Sequence, residues 1–160
     1  MKIALVGYGQ MGHMIEQCAK KNGHEVVATI DPIASDASVK ISQNDSNALV
    51  SAVKESGAEG VIEFSHPSVV MQNIKALLPL KLPLVVGTTG WKDKEAEVSQ
   101  LALECGGTIM RSANFSVGVN LFYKIVQSFF NAKTTSIILC VLVCFSLEFH
   151  TIYRVCFILL

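Results

Sequence analysis

KIALVGYGQMGHMIEQCAKKNG, residues 2–23, holds a strand, a glycine-rich turn and a helix in one unbroken run. Residues 2–6 are a short apolar run. Residues 11–22 carry a helical period, with Met11, Met14, Ile15, Cys18 and Ala19 on one face. His13, Glu16, Gln17, Lys20 and Lys21 lie opposite, and Gly23 stops the helix. Between strand and helix, Gly7-Tyr8-Gly9-Gln10-Met11-Gly12 spells G-x-G-x-x-G. The first glycine permits the tight turn, the second lets backbone approach a pyrophosphate, and the third lets the helix sit close against a sheet. The phosphates would meet free N–H groups and the positive end of the helix dipole.

The same alternation runs outward from this unit. Residues 25–30 (EVVATI) read as a buried strand, and residues 33–47 as a polar, irregular loop. A short helix at 48–56 ends at Gly57, and a strand follows at 60–65. Pro67 sits where a first-turn proline belongs, before a helix carrying Val70, Ile74, Leu77 and Leu78. Residues 84–87 and 108–111 are further strands, separated by a helix at 92–105. A last helix at 116–130 is expected to bury Leu121, Phe122, Ile125, Val126 and Phe129. Continuous apolar strands alternating with helices imply βαβ crossovers and a parallel sheet covered on both faces. The expected fold is α/β, a doubly wound, Rossmann-like parallel sheet over residues 1–133.

In such a sheet, ligands sit beyond the carboxyl ends of the strands. Asp31 ends the second strand 19 residues after Gly12, where a dinucleotide site hydrogen-bonds the adenosine ribose. A structural glycine-rich turn with an incidental acid is the competing reading. Asp31 would repel a 2′-phosphate, and Pro32 stands where an arginine could have paired with one, so NAD(H) is favoured. Lys40 or another loop cation reaching a phosphate would admit NADP(H). The next strand ends present Phe64-Ser65-His66-Pro67, then Gly87-Thr88-Thr89-Gly90-Trp91, then Ser112-Ala113-Asn114-Phe115. Gly87 and Gly90 would let backbone pass close to a nicotinamide ring, with Thr88 and Thr89 as small polar contacts. Ser112 to Asn114 would offer backbone and amide contacts to its carboxamide. His66 reads as a polar cap or satisfied loop histidine, and Trp91 as packing.

Bulk composition removes other classes. Thirteen basic and thirteen acidic side chains cancel, so nothing global steers the chain to nucleic acid or anionic lipid. Five cysteines without a CxxC pair suit reduced cytoplasmic thiols rather than a disulfide framework or a metal site. The five-residue apolar run near the N-terminus is too short for a signal-peptide core.

The blocks MKIALVGYGQMG, IEFSHPSVV, LPLVVGTTGW and SANFSVGVNLF, in this order, resemble the nucleotide-binding domain of the dihydrodipicolinate reductase (4-hydroxy-tetrahydrodipicolinate reductase) family over about residues 1–130. The resemblance implies an oxidoreductase that reduces a cyclic imine dicarboxylate, 4-hydroxy-tetrahydrodipicolinate, with NAD(P)H in lysine and diaminopimelate biosynthesis. It places the nucleotide at Gly7 to Gly12 and Asp31, and the nicotinamide end at Gly87 to Thr89 and Ser112 to Phe115. A non-catalytic dinucleotide-binding module is the alternative. The family continues into a substrate domain marked by D-A-P-S-G-T, through which its members assemble, so an oligomer stays open here. This chain shows instead an apolar tail at residues 134–160, with 19 of 27 residues apolar and Glu148 and Arg154 as the formal charges. The expectation is a truncated or frame-disrupted product that binds cofactor and turns over poorly. Glu148-Phe149-His150 with Arg154 faintly echoes the family's catalytic segment. Arginine stays protonated and cannot donate a proton, so coincidence is the favoured reading of His150, the one catalytic candidate. Residues 137–147 are fewer than the ~20 a spanning helix needs. Extension to residue 160 centres Glu148, at about 2.5–3.5 kcal/mol per central charge. No membrane association is expected, with an anchor formed by the tail left open.

Overall fold

The computed structural model describes residues 1–131; the tail assigned to residues 134–160, with His150 and Arg154, lies outside the described residues. One compact unit, Met1–Ala113, contains β1 (Lys2–Val6), α1 (Gln10–Lys21), β2 (Glu25–Ile30), α2 (Ser46–Glu55) and β3 (Gly60–Glu63). It continues through α3 (Val70–Leu77), β4 (Leu84–Val86), α4 (Glu95–Cys105) and β5 (Ile109–Arg111). A second unit begins at Asn114 and carries α5 (Val117–Asn131).

All five strands pair in parallel, in the order β2-β1-β3-β4-β5. Successive strand residues point to opposite faces, and β1 shows what that produces. Ile3 and Leu5 join Tyr8, Ile15 and Ala19 in a core under α1. Ala4 and Val6 join a larger core with Leu49 and Val53 of α2, Val70 and Ile74 of α3, and Val98 of α4. Each fully buried branched side chain contributes about 1.5–3 kcal/mol. The sheet of this unit is therefore covered on both faces, as the apolar strands require.

The register then levels the strand tips. Val6 lies opposite Ile30 on one side and Glu63 on the other; Glu63 is level with Val86, and Val86 with Arg111. One residue further along, the five tips present Asp31, Gly7, Phe64, Gly87 and Ser112 in a row. The chain leaves β1 for β2 and returns on the other side of β1 as β3. That leaves a switch point between the carboxyl ends of β1 and β3.

Several boundaries differ from the sequence reading, each for a local reason. Helix α2 starts two residues early because the Asp45 carboxylate accepts the Ala48 N–H at 2.9 Å, an N-cap. Pro67 lies before α3 rather than in its first turn. The His66 carbonyl accepts Val69 and Val70 N–H groups at 3.0 and 3.2 Å and closes a separate turn there. The helix expected at 92–105 opens as a 3₁₀ turn, Lys92–Lys94, ahead of α4. On α5, Leu121 and Ile125 are exposed, against the expectation that both are buried.

Gly87 has a packing partner within the protein that its sequence context does not announce. A Cβ there would stand 1.9 Å from Phe64 Cζ, so the Phe64 ring fills the space the glycine leaves. The register explains it, since Phe64 and Gly87 follow the paired residues Glu63 and Val86. Gly87→Ala should therefore destabilise the protein by about 1–3 kcal/mol, the usual cost of overpacking. Urea unfolding would read it, and Phe64→Leu in the same chain should recover part of the loss. An unchanged unfolding midpoint for Gly87→Ala would refute the contact.

Candidate functional site

At the tip of β1 the backbone turns at Gly7 with φ +90°, and a Cβ there would lie 2.3 Å from the Phe64 carbonyl oxygen. No other residue type combines that φ with that approach. Gly12 serves a second close contact, for a Cβ on it would come within 2.6 Å of the Gly7 carbonyl oxygen. Gly9 is the opposite case. A Cβ there would meet nothing within 4 Å, so the space over the start of α1 is open.

Gly9 is the N-cap of α1, and no side chain caps that helix or places an acid in its first turn. Helix α2, by contrast, is capped by Asp45. The first N–H groups of α1, at Gln10, Met11 and Gly12, have no intrahelical partner by geometry. They stand at the positive end of the helix dipole, where an anion is favoured. Tyr8 contributes differently. Its ring is buried in the α1-side core, its hydroxyl donates to Glu16, and its N–H is already committed to Asp31. The Glu16 hydrogen bond and burial push the phenol up to about 12.

Asp31 organises this end of the sheet. Its Oδ2 accepts the Tyr8 N–H at 2.8 Å, and its Oδ1 accepts the Ile33 and Ala34 N–H groups at 2.7 and 2.8 Å. Partial burial opposes its ionisation. The Ala34, Tyr8 and Ile33 donors outweigh that and hold the carboxyl below the ordinary carboxylate range. A carboxylate has about four acceptor positions, so one stays on Oδ2 for a further donor such as a ribose hydroxyl. The loop after β2 is tied back once more through His13, on the first turn of α1. Its Nδ1 meets the Gly9 carbonyl at 2.7 Å and its Nε2 meets the Asp36 carboxylate at 2.7 Å. The imidazole also stacks on Tyr8, ring centroids 4.1 Å apart.

A crevice of about 220 Å³ opens at the switch point. Gly7, Gly9 and Asp31 form one wall, and Ser65, His66, Val69 and Asn73 form another. Pro32 and Ile33 border it, as do residues 41–45 of the following loop. Asn73 and the 41–45 stretch escaped the sequence reading, because only the folded chain brings α3 and that loop to the same crevice as Asp31. His66 behaves as a cap: its Nδ1 accepts the Ser68 N–H at 3.3 Å, alongside its carbonyl bonds to α3.

Further along the crest, Thr88 is buried and Trp91 packs at 3% exposure, its indole N–H donating to the Thr88 carbonyl at 2.8 Å. That bond ties the Gly87-Thr88-Thr89 turn to the buried Trp91 ring. Arg111, at the tip of β5, lies 5.4 Å over the Trp91 ring and pairs with Glu95. Ser112 and Ala113 follow directly. Asn114 and Phe115 open the second unit, where the Asn114 side chain accepts the Ser116 N–H at 2.7 Å and its carbonyl accepts the Asn120 amide at 2.9 Å. The Ser116 hydroxyl receives the Val119 N–H at 3.4 Å. Small polar residues at this point thus begin a helix. Among the described residues, no helix is long and apolar enough to cross a membrane.

Comparison with known proteins agrees with this geometry. Residues 1–115 match the family described as Dihydrodipicolinate reductase, N-terminus, and the chain belongs to that family. It is 33% identical over 127 residues to the 4-hydroxy-tetrahydrodipicolinate reductase of Christiangramia forsetii, covering 79% of this chain and 47% of that protein. The Staphylococcus haemolyticus enzyme of the same name is 31% identical over 128 residues, covering 80% and 50%. The chain thus spans about half the length of the curated relatives it matches. Among solved structures, dipicolinate-bound dihydrodipicolinate reductase from Paenisporosarcina sp. TG-14 superposes with a TM-score of 0.64 at 20% identity, covering 79% of this chain and 52% of that one. An archaeal homoserine dehydrogenase in complex with NADPH superposes at 0.56 and 14% identity, covering 73% and 45%. Both share the fold.

The His13–Asp36 link titrates in a stated direction. The Asp36 hydrogen bond, then the Gly9 carbonyl, raise His13 above its ordinary 6.5, while His13 lowers Asp36 below 3.8. For the raised histidine, the linkage is complete below 6.5 and is lost as pH rises through the folded value; for the lowered acid it is present above 3.8 and lost on acidification. An NMR titration of the His13 ring should show a midpoint above 6.5, moving back toward 6.5 in Asp36→Asn. Identical midpoints in the two proteins would show that the pair does not form in solution.

Proposed function

We propose that this member of the dihydrodipicolinate reductase family binds a nicotinamide dinucleotide along its strand tips and serves the NADH-dependent reduction of 4-hydroxy-tetrahydrodipicolinate to tetrahydrodipicolinate, in the cytoplasm, for lysine and diaminopimelate biosynthesis. The observation that carries the reading is the uncapped start of α1 under the open Gly9, with the Asp31 carboxylate beside it. Anionic diphosphate suits N–H groups at a helix N-terminus that no side chain satisfies. A donor hydroxyl suits the remaining acceptor position of Asp31. The crevice between Asp31 and His66, bordered by Ile33 at 79% exposure, suits the apolar faces of an adenine. The residues present therefore fit the cofactor.

Bound there, the nicotinamide supplies a hydride. The chain's own residues hold and orient. Gln10, Met11 and Gly12 offer N–H groups to the diphosphate, and Asp31 accepts from the adenosine ribose. Gly87, Thr88 and Thr89, held by Trp91, and Ser112 with Ala113 lie on the β4 and β5 side and serve the nicotinamide end. The partner substrate is the small cyclic imine dicarboxylate that the family name implies.

Cofactor choice follows from charge. Asp31 is kept ionised by three backbone donors, and Pro32 supplies no cation to pair with a 2′-phosphate. Calorimetric titration of the full chain should give saturable NADH binding. NADPH should bind about tenfold more weakly, the effect of ~1.4 kcal/mol, and Asp31→Asn should narrow the gap. Comparable affinity for both cofactors in the unaltered chain would refute the preference; no binding of either would refute the function.

A further inference from the structure

Glu63 ends β3, the strand at the switch point, and is fully buried at 0% exposure. Its two oxygens are treated unequally. Oε1 accepts the Ser65 N–H at 3.3 Å, the Ser65 hydroxyl, and the Asn73 amide at 3.2 Å. The Asn73 amide also reaches the Ser65 hydroxyl at 3.2 Å, closing a triangle of side chains. Oε2 has no hydrogen-bond partner among the described residues. An unpartnered buried carboxyl oxygen is costly, and an apolar residue of similar size would serve the core of a parallel sheet without that cost. Ser65 and Asn73, the two residues this carboxyl holds, both line the crevice.

We propose that Glu63 is a positioning residue: from the tip of β3 its Oε1 fixes Ser65 on the following loop and Asn73 on α3, and so shapes the crevice wall that receives the adenosine end of a dinucleotide. The inference rests on the nucleotide reading of that crevice. Glu63 touches no ligand and acts only through the two groups it holds.

The surroundings of the carboxyl suit a neutral acid. Ser65 from its own loop, Asn73 from α3 and Thr88 from the β4 turn are all uncharged, and Val6 lies opposite on β1. Asp31, Asp45 and His66 are the titratable groups that share the crevice. Burial pushes the Glu63 carboxyl above the ordinary range, and the polar groups of Ser65, Thr88 and Asn73 offset only part of that. A neutral Glu63 keeps its bonds without setting a negative charge beneath an anionic ligand. For a raised acid, the stabilising contribution is complete below 4.5 and is lost as pH rises through the folded value.

Calorimetric titration of the full chain with NAD⁺ across a pH series tests the proposal, using Glu63→Ala and Glu63→Gln. The alanine variant frees Ser65 and Asn73 and should bind NAD⁺ about tenfold to a hundredfold more weakly, the size expected when buried polar partners are orphaned. The glutamine variant keeps an acceptor oxygen and cannot ionise. It should recover most of the affinity and show a flatter decline with rising pH than the unaltered chain. If Glu63→Ala fails to fold, the glutamine variant decides alone, and a pH curve parallel to the unaltered chain's overturns the proposal. Unimpaired binding by Glu63→Ala, or equal loss in both variants, overturns it as well while leaving the nucleotide reading intact. Failure of the unaltered chain to bind NAD⁺ removes that reading and this inference together.

Discussion

The site depends on how closely the chain can pass itself where β1 and β3 end. These strands are neighbours, their last residues Val6 and Glu63 are level, and both chains must leave the sheet there. The β1 chain turns toward α1 at Gly7, against the Phe64 carbonyl, where a side chain of any size would collide with backbone. Backbone cannot give way as a flexible side chain can. A larger residue at Gly7 would therefore push the turn away from β3, and with it the start of α1. The bond from the Gly7 N–H to the Ile30 carbonyl at 2.9 Å fixes the same turn to β2. Three strands thus meet at one glycine, and the direction of α1's N–H groups follows.

That geometry explains what sequence alone made legible. The G-x-G-x-x-G spacing, the acid at Asp31 and the tips of five parallel strands are local patterns, and each sits where its periodicity puts it. The glycine roles were legible in kind at Gly7 and Gly12, because steric demand belongs to the residue itself. The packing role of Gly87 was not legible, because its partner is Phe64, 23 residues away in sequence and adjacent only through the β3–β4 register. The same limit hid Asn73, the 41–45 stretch and the His13–Asp36 pair. Nothing in their residue types announces a partner on another element. The Ser112 to Ser116 run shows a further ambiguity: small polar residues serve a ligand or a helix start equally well, and the bonds at Asn114 and Ser116 show the helix-starting use.

Charge is distributed along the crest with a consistent logic. Asp31 keeps its charge because three backbone N–H groups converge on it, and two of them come from the loop it anchors. Glu63, two strands away across β1, has neutral partners and one unpartnered oxygen, so the same functional group is driven the other way. The difference lies in backbone donors. At Asp31 the chain curls back and offers N–H groups with no other use. At Glu63 the neighbouring N–H groups are largely consumed by the sheet, as where Gly87 donates to the Glu63 carbonyl at 2.9 Å. Three converging backbone donors favour the ionised carboxyl at Asp31, whereas burial with a single backbone donor, the Ser65 N–H, favours the protonated one at Glu63.

This contrast bears on why so much polar machinery is spent on holding other residues. Tyr8 gives its N–H to Asp31 and its hydroxyl to Glu16, which in turn pairs with Lys20 at 2.7 Å. Trp91 holds the Thr88 carbonyl, and Glu63 holds Ser65 and Asn73. In each case a residue with a buried side chain ties down a neighbour at or beside the strand tips. Loops at strand ends lack the ladder bonds that stiffen the strands themselves, and a site built on them is only as well placed as its supports. The described crest meets that requirement with buried anchors at β1, β3 and β4. At α1 it leaves its N–H groups unspent, because a donor already satisfied by the protein has nothing to offer a phosphate.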